Sequence, residues 1–409
     1  MSGLSFAEEV EEEKELNKDK EYIWFKTDSG LEIIPVFETE FGNNDNVGRF
    51  SDGEEIISSS YTDVNPGIAF RSKRKGDFYF LKYQQFNRTY SESPADDFSD
   101  SFIDFDNFLH FSDKHRVAMR LQYAQSHEAR GTEITESDEL ARAIDEVLTF
   151  DRTRFQTRYS YGARSANQVE AKIGYDAQEY TNYQDEIGGY EFQGTKYRDY
   201  TEYQLGGTFV WRALPRTRIT TAIEMNDRSF NQARADSVRD YSELFYLGGI
   251  RWDISGKTKG QFELGIQSID YTSDVRNDES NLSWRGNLQW TPLRHAFVSF
   301  ETIQKSIDGE NIEGRSTYLR SEFRLSWKHY WLDRFYTEVG TVQRDDEYTE
   351  YERQDSYSSN SFGVGYEFRR WVDLSAGMTM TTLDSQEEGG PGPSSYDQNT
   401  WFIKAELIY

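Results

Sequence analysis

Five histidines are the side chains of this chain that could bind a transition metal or transfer a proton near neutral pH. They are His110, His115, His127, His295 and His329. None stands in a ligand spacing such as HExxH, and the chain has no cysteine to supply thiolates. From this pattern we expect neither a metal site nor a cofactor.

Motifs for nucleophilic or nucleotide-dependent catalysis are also missing from the sequence. GxSxG, Walker A and a GxGxxG between a strand and a helix are not found, and the glycines of "GGPGPSS" fall in a predicted loop. One alternative is an enzyme that assembles its groups from distant strands near a rim, with Asp106 or His127 as candidates. Acids are so abundant in the loops that this match carries little weight, and we predict that the protein is not an enzyme.

Charged residues at alternate positions form the clearest chemical pattern. In the second half of the chain nine bases share one parity of successive short segments: Arg212, Arg218, Arg228, Arg251, Arg285, Arg320, Arg324, Lys328 and Lys404. Nine acids share that parity: Glu224, Glu243, Glu263, Glu301, Glu322, Glu338, Glu367, Asp373 and Glu406. This predicts a continuous wet surface with almost no net charge.

The segments that carry these charges show the period-2 alternation of strands with two unlike faces. In "NLSWRGNLQWTPLRHAFVSF", residues 281–300, Leu282, Leu288 and Trp290 share one parity, and polar residues take the other. The short "TPLR" joins two such segments into a hairpin. Eighteen segments are predicted, at roughly 31–42, 57–70, 77–90, 100–111, 115–127, 147–163, 168–181, 198–212, 217–229, 241–253, 259–272, 280–291, 294–306, 316–329, 333–346, 357–369, 371–384 and 398–409.

The connections between these segments alternate in length. Short ones such as "SDK", "RSAN", "LPRT" and "WLDR" fall on one side, and long acidic ones such as "ARGTEITESDELARAIDE" fall on the other. Bacterial outer-membrane barrels sort their connections in this way, with short periplasmic turns and long extracellular loops, whereas soluble sandwiches and propellers do not. Tryptophans also gather beside the short turns, as in an interfacial girdle, at Trp211, Trp252, Trp290, Trp327, Trp331 and Trp371.

Composition is compatible with such a barrel and excludes other classes. The 46 basic and 72 acidic residues give a formal charge of −26, which argues against nucleic-acid binding. The mean hydropathy is −0.83, and no apolar run reaches the roughly 18 residues of a membrane-spanning helix. We therefore predict an all-β fold, a closed antiparallel transmembrane β-barrel of about eighteen strands with both termini in the periplasm. A soluble all-β binding module is the alternative.

The two ends of the chain carry further expectations. Residues 1–29, with the charged run Glu8 to Lys20, are predicted to be a periplasmic extension whose leader is absent or removed, and residues 30–409 the barrel. The last segment, "TWFIKAELIY", alternates and ends on an aromatic residue. It resembles the C-terminal signature of bacterial outer-membrane barrels.

Four stretches resemble an outer-membrane β-barrel porin family associated with exopolysaccharide secretion. They are "LGGIRWDISGKTKGQFELGIQ", "SWRGNLQWTPLRHAFVSFET", "FRLSWKHYWLDRFYTEVG" and "FGVGYEFRRWVDLSAGMTM", within residues 205–409. The resemblance implies a channel that passes capsule or biofilm polysaccharide across the outer membrane in a flippase-and-polymerase pathway, with periplasmic export proteins as partners. It supplies no catalytic residue. A general or sugar-uptake porin is the alternative.

In a barrel, the charged parity becomes the lumen wall. We expect the lumen-lining residues to include Arg218, Glu224, Arg251, Glu263, Arg285, Glu301, Arg320, Glu322, Arg324 and Glu406. Arg285, Arg320 and Arg324 should form a positive patch with Glu301 and Glu322 as partners. Such a wall either offers weak contacts to a hydrated sugar chain or only solvates the lumen and pairs across strands, and the sequence leaves both interpretations open.

Overall fold

A computed structural model describes residues 25–51, 55–163, 165–232, 239–254, 256–274, 276–309, 317–349, 352–387 and 395–408. Nearly all regular structure in these ranges is β. The strands are β1 Phe25–Lys26, β2 Glu32–Asn44, β3 Ser59–Arg74, β4 Asp77–Tyr90, β5 Phe98–His110, β6 His115–Glu128, β7 Leu148–Tyr161, β8 Asn167–Tyr180, β9 Tyr200–Leu214, β10 Thr217–Phe230, β11 Tyr241–Ile254, β12 Thr258–Tyr271, β13 Glu279–Leu293, β14 Ala296–Asp308, β15 Thr317–Tyr330, β16 Phe335–Tyr348, β17 Arg353–Arg369, β18 Val372–Glu387 and β19 Tyr396–Ile408.

Helical structure in the described residues is confined to short loop segments. One turn of α-helix, α1, covers Asp138–Arg142, and 3-10 turns cover Pro94–Asp96, Glu133–Thr135, Glu191–Gln193 and Thr195–Tyr197. None of these helices is long and apolar enough to span a membrane.

The strands β2 to β19 close into a barrel of eighteen antiparallel strands. Each pairs with its neighbours in the chain, and β19 returns to pair with β2, with Phe402 opposite Gly42 and Lys404 opposite Glu40. The first strand, β1, is an additional two-residue strand beside β2. The predicted fold and strand number are confirmed, and closure leaves β2 and β19 paired on both sides.

The predicted segments match the observed strands to within a few residues. One of the two largest shifts is at β17, which begins at Arg353 rather than near 357 because Arg353 and its successors pair with the end of β18. Both faces of the hairpin are polar there, as in Asp355, Ser356 and Ser385. Without an apolar face the alternation disappears, although the backbone pairing continues.

The connections sort by length as expected. Those on the short side have two to five residues, and those on the other side have four to nineteen. The β3–β4 turn shows the local reason: Lys75 (φ 51°) and Gly76 (φ 95°) are both left-handed, the backbone of a two-residue hairpin that follows the strand twist. The short side is the periplasmic side of outer-membrane barrels.

The apolar parity faces outward and stays exposed around the barrel. Large apolar side chains that are at least half exposed occur on strand after strand: Leu205, Ile223, Tyr246, Ile266, Leu282 and Ile403. Trp211, Trp290 and Trp331 are exposed near the short turns, where the interfacial girdle was expected. This surface needs a hydrocarbon environment.

Two predictions for the chain ends concern residues that the structure does not describe. The charged run Glu8 to Lys20 and the terminal Tyr409 lie outside them. Within the predicted extension, Phe25 and Lys26 are described, and they pair with Ile33 and Glu32 of the barrel sheet. Backbone pairing to the barrel thus begins before the predicted boundary at residue 30.

Candidate functional site

The polar parity faces inward and encloses a cavity of about 810 Å³. Its wall is built by strands β4 to β14, and its charged lining residues are again nine acids and nine bases. The acids are Asp104, Asp106, Glu170, Asp176, Glu202, Glu224, Glu243, Glu263 and Asp308. The bases are Arg120, Arg152, Arg154, Arg158, Lys172, Arg228, Arg251, Arg285 and Lys305.

Arg285 is the centre of an ion-pair network in this wall. Its guanidinium binds Glu263, the residue opposite it on β12, at 2.6 Å, and also Glu224 of β10 at 2.5 Å. Lys172 of β8 lies 3.6 Å from Glu224. Glu263 is only 2% exposed, and the basic partners offset the cost of burying its carboxylate.

Arg251 of β11 extends the network toward the periplasmic end. It lies 3.5 Å from Glu170 of β8 and 3.6 Å from Glu263. Strands β8, β10, β11, β12 and β13 are therefore joined by one continuous set of charges. Pairing between non-adjacent strands is possible because they curve around a common interior.

Four of the predicted wall residues line this cavity, namely Glu224, Arg251, Glu263 and Arg285. The other six do not line the cavity, although the strand pairing places them on the inward face of the barrel. They are Arg218, Glu301, Arg320, Glu322, Arg324 and Glu406. Glu301 lies directly opposite Arg324, and Glu406 opposite Asp373.

The expectation that three arginines form one positive patch is wrong, although Glu322 is a partner of Arg324 as predicted. Arg324 binds Glu322 at 2.6 Å, and Arg320 binds both carboxylate oxygens of Asp346 at 2.8 Å. Arg285 binds Glu263 and Glu224. Each arginine is thus neutralised by a different acid. For Arg285 and Arg320 the sequence could not show this because their partners lie on other strands.

The wall of strands β5 to β8 was missed by the sequence interpretation. Arg152, Arg154 and Arg158 alternate along β7 and line the cavity, and Asp176 of β8 binds Arg152 at 2.7 Å and 2.8 Å. The signal was present in "DRTRFQTR" as a period-2 run of bases. The inward parity had been assigned only to the more regular second half of the chain.

Near the extracellular ends of the strands, the lumen wall repeats a unit of tyrosine, arginine and carboxylate. The Arg88 guanidinium lies 3.8 Å from the ring centre of Tyr61 and binds Asp63 at 2.7 Å. The same arrangement recurs elsewhere, for example in Arg228 with Tyr200 and Glu202, Arg320 with Tyr318 and Asp346, and Arg353 with Tyr348 and Asp355. Stacking and ion pairing together fix each arginine.

The β6–β7 loop, residues 129–147, covers the extracellular mouth. Glu136 in this loop receives two hydrogen bonds of 3.1 Å from Arg353 of β17, a strand on the far side of the barrel. Asp138 at the start of α1 accepts hydrogen bonds from the backbone and hydroxyl of Ser51 in the β2–β3 loop. We call residues 129–147 the mouth loop.

An apolar core lies beneath the mouth loop. Ile134, Leu140 and Ile144 of the loop pack with Leu148, Tyr180 and Ile187, and all six are at most 4% exposed. This is the larger of the two apolar clusters among the described residues. Buried apolar side chains form the centre of a soluble protein, whereas here they hold a loop over a channel.

Two loop carboxyls have pKa values raised by burial. The pKa of Asp199, just before β9, is raised to about 6 because burial disfavours the charged form, although its carboxylate accepts a hydrogen bond from the Tyr180 backbone N–H at 2.7 Å. Burial also raises the pKa of Glu136, and Arg353 opposes this shift. Both groups belong to the ordered loops at the extracellular mouth.

The two residues considered for catalysis do not form one site. Asp106 accepts a hydrogen bond from Arg120 at 2.8 Å in the cavity wall, whereas His127 bonds to Asp100 at 2.9 Å and stacks on Phe98. Asp100 and Asp106 are six residues apart on β5, which is about 20 Å along a strand. Among the described residues no three His, Asp or Glu side chains converge as metal ligands.

Comparison with protein families gives one match that covers nearly the whole chain. The family model described as "Putative beta-barrel porin 2" matches residues 32–407. The chain belongs to this porin family. The matched range begins at the first residue of β2 and ends within β19, so it covers the closed barrel. No curated protein sequence matches.

Three solved structures are similar to this chain at low sequence identity. The FrpB iron transporter from Neisseria meningitidis is 8% identical, with a TM-score of 0.49 and coverage of 97% of this chain and 82% of that chain. OccAB3 of Acinetobacter baumannii is 9% identical, with a TM-score of 0.46 over 92% and 99%. OmpT of Vibrio cholerae is 11% identical, with a TM-score of 0.40 over 94% and 100%.

Family membership and the closed barrel establish the class and location of the protein. It is a porin-type channel of the bacterial outer membrane, as the strand and turn patterns predicted. Its outward apolar surface contacts membrane lipid.

Proposed function

We propose that this porin conducts polysaccharide outward across the outer membrane, as the last step of an exopolysaccharide secretion pathway. The observation that carries the proposal is the charge balance of the cavity wall, nine acids and nine bases interlocked by ion pairs. A wall of this kind has many hydrogen-bonding groups and no strong net field. A hydrated chain can form weak contacts along it and still leave.

The mouth loop supports export over uptake. It holds the extracellular opening through Glu136 and Asp138 and is backed by an apolar core, so a solute outside meets a covered entrance. A polysaccharide chain that arrives from the periplasm instead reaches the mouth loop from the lumen side. It can then displace the loop and leave outward. Periplasmic export proteins are the partners we propose for delivering the chain.

Polymer block of single channels in planar bilayers tests this function. Maltodextrin oligomers added on the short-turn side should interrupt the ion current reversibly, with block durations that increase with oligomer length. The same oligomers added on the loop side should block rarely. A variant with residues 132–145 replaced by a short Gly-Ser linker should lose this sidedness.

Two results would contradict the proposal. Conducting channels that no oligosaccharide blocks from either side would show that the lumen does not take up sugar chains. Equal block from both sides in the unmodified protein would instead identify a general or sugar-uptake porin.

A further inference from the structure

The short turns of the barrel together carry a net positive charge. Each of the eight turns contains one Lys or Arg, and together they contain only two acids. The nine connections on the opposite side contain 26 acids and 9 bases. In the turns of the described residues, Lys75, Lys114, Arg216, Lys257 and Arg294 are all exposed. The barrel thus has a positive periplasmic rim and a negative extracellular one.

A row of three arginines continues the positive charge into the lumen. Arg218, the second residue of β10, lies opposite Arg212 of β9 and Arg251 of β11 in the cross-strand register, so all three point to the same face. Arg251 has Glu170 and Glu263 as partners. Arg212 and Arg218 form no side-chain hydrogen bond or ion pair with any described residue.

A second pair of bases lies further from the turns on the same wall. Arg158 of β7 is directly opposite Lys172 of β8, and both line the cavity. Lys172 has Glu224 at 3.6 Å. Like charges placed directly opposite each other destabilise a sheet, so two such sets on neighbouring strands are a cost that structure alone does not require.

From this asymmetry we infer that the transported polymer is an acidic polysaccharide, one that carries carboxylate groups, and that Arg212 and Arg218 are its entry site. The inference rests on the proposed function. The basic rim raises the local concentration of a polyanion at the periplasmic entrance. The two unpaired guanidinium groups then contact its carboxylates, and the charge-balanced cavity releases them.

The acidic extracellular side makes the passage directional. A segment that has passed the mouth loop is repelled by the loop carboxylates and does not return. A neutral glycan would experience neither the attraction nor the repulsion. Anionic phospholipid does not explain the row because Arg212 and Arg218 lie on the inward parity, whereas lipid contacts the outward one.

The test compares two oligosaccharides of equal length in the same bilayer assay. Oligogalacturonate, which is anionic, and maltodextrin, which is neutral, are added separately on the short-turn side at 0.1 M and 1 M salt. We expect the anionic oligomer to block at least about tenfold more often at 0.1 M, and the difference to shrink at 1 M because salt screens the attraction.

Variants locate the effect at the arginine row. R212Q/R218Q should reduce the block frequency of oligogalacturonate about tenfold and leave that of maltodextrin unchanged. R212K/R218K keeps both charges and should behave like the unmodified protein. K196Q, a charge change on the extracellular β8–β9 loop, should not alter entry from the short-turn side. Heat-modifiable mobility in electrophoresis shows that each variant forms a closed barrel.

The outcomes separate this inference from the proposed function. Equal block by the two oligomers, or unchanged block in R212Q/R218Q, would overturn the acidic substrate while leaving a polysaccharide channel in place. Absence of block by either oligomer in a conducting channel would overturn the proposed function itself.

Discussion

At the scale of single residues, the lumen wall is governed by the cost of buried charge. Glu263 is nearly inaccessible, and Arg285 is the base that binds it most closely while also binding Glu224 across the interior. Arg324, by contrast, is 57% exposed and binds the acid two residues away on its own strand. The two arginines have the same chemistry but differ in the cost of removing them.

Arg285→Met should lower the free energy of unfolding by about 2 kcal/mol. The value is below the roughly 3–5 kcal/mol typical of broken buried pairs because Arg285 is one-third exposed. Arg324→Met is the matched control and should cost less than about 1 kcal/mol, as exposed pairs do. Urea-induced unfolding in lipid vesicles measures both. Equal losses in the two variants would show that the network does not depend on Arg285.

At the scale of structural elements, the mouth loop is the part that departs from a simple barrel. Its contacts reach two other connections and a strand on the far wall, from Glu136 to Arg353 and from Asp138 to Ser51. Its apolar residues recur at Ile134, Leu140 and Ile144, within a segment whose composition is otherwise acidic. A loop held by a few contacts at one edge and a core at the other can be released from one side.

Removing the contact to the far wall should open the mouth more often. Glu136→Ala takes away both hydrogen bonds to Arg353 but leaves the apolar core intact, so we expect longer high-conductance periods in single-channel records. Glu139→Ala is the control. It removes the hydrogen bond from Tyr190 of the β8–β9 loop and should change the records little. Identical open times in both variants would argue that the core alone holds the loop.

The ordered loops should also be more stable in weak acid than at neutral pH. Asp199 has a pKa of about 6 in the folded loop against an ordinary value of 3.8, so the folded state binds its proton more tightly. Stability is therefore lost as the pH rises from about 4 through 6. Glu136, whose pKa is also raised, acts in the same direction. Protease cleavage of the extracellular loops should be slower at pH 5 than at pH 7.5.

Asp199→Asn tests the origin of this pH dependence. Its amide oxygen can still accept the hydrogen bond from the Tyr180 backbone, but it has no proton to lose, so most of the difference between pH 5 and pH 7.5 should disappear. Asp185→Asn, at a fully exposed loop carboxyl, should keep the dependence of the unmodified protein. A D199N profile identical to that of the unmodified protein would assign the effect to other groups.

At the scale of the whole molecule, one barrel wall separates two solvents. Outward residues such as Ile223 remain half exposed because they face lipid, whereas inward residues such as Glu224, next to it in the chain, take part in the charge network. The same wall also separates a basic rim from an acidic one. Both asymmetries follow from closure, since a barrel has a fixed inside and outside and fixed upper and lower ends.

A single charge should lower the free energy of unfolding more on the lipid-facing side of the wall than on the lumen-facing side. Arg in place of Ile223 or Leu288 lies on the lipid face and should cost roughly 2–4 kcal/mol, whereas Arg in place of Gln289 points into the lumen and should be tolerated. Unfolding in vesicles gives the free energies. Equal costs at Leu288 and Gln289, which are adjacent on β13, would mean that the assignment of faces is inverted or lost.

The sequence by itself determined the strand number, the parity of the strands in the second half of the chain and the side of each connection. These are local properties: a strand alternates with period 2, and a short turn fixes which neighbour it pairs with. The outward orientation of Leu282, Leu288 and Trp290 could therefore be predicted without any tertiary information. The lumen parity of the second half of the chain was readable for the same reason, and that of β7 would have been.

Tertiary structure decided which acid meets which base and what covers the mouth. Arg285 and Glu224 are 61 residues apart on strands that are not neighbours, and Glu136 and Arg353 are 217 residues apart. Such contacts depend on the curvature of the closed sheet and on loop paths, which no local period encodes. A parity can place a charge inside the barrel, but only the closed barrel brings it within hydrogen-bonding distance of a partner on a strand that is not its neighbour.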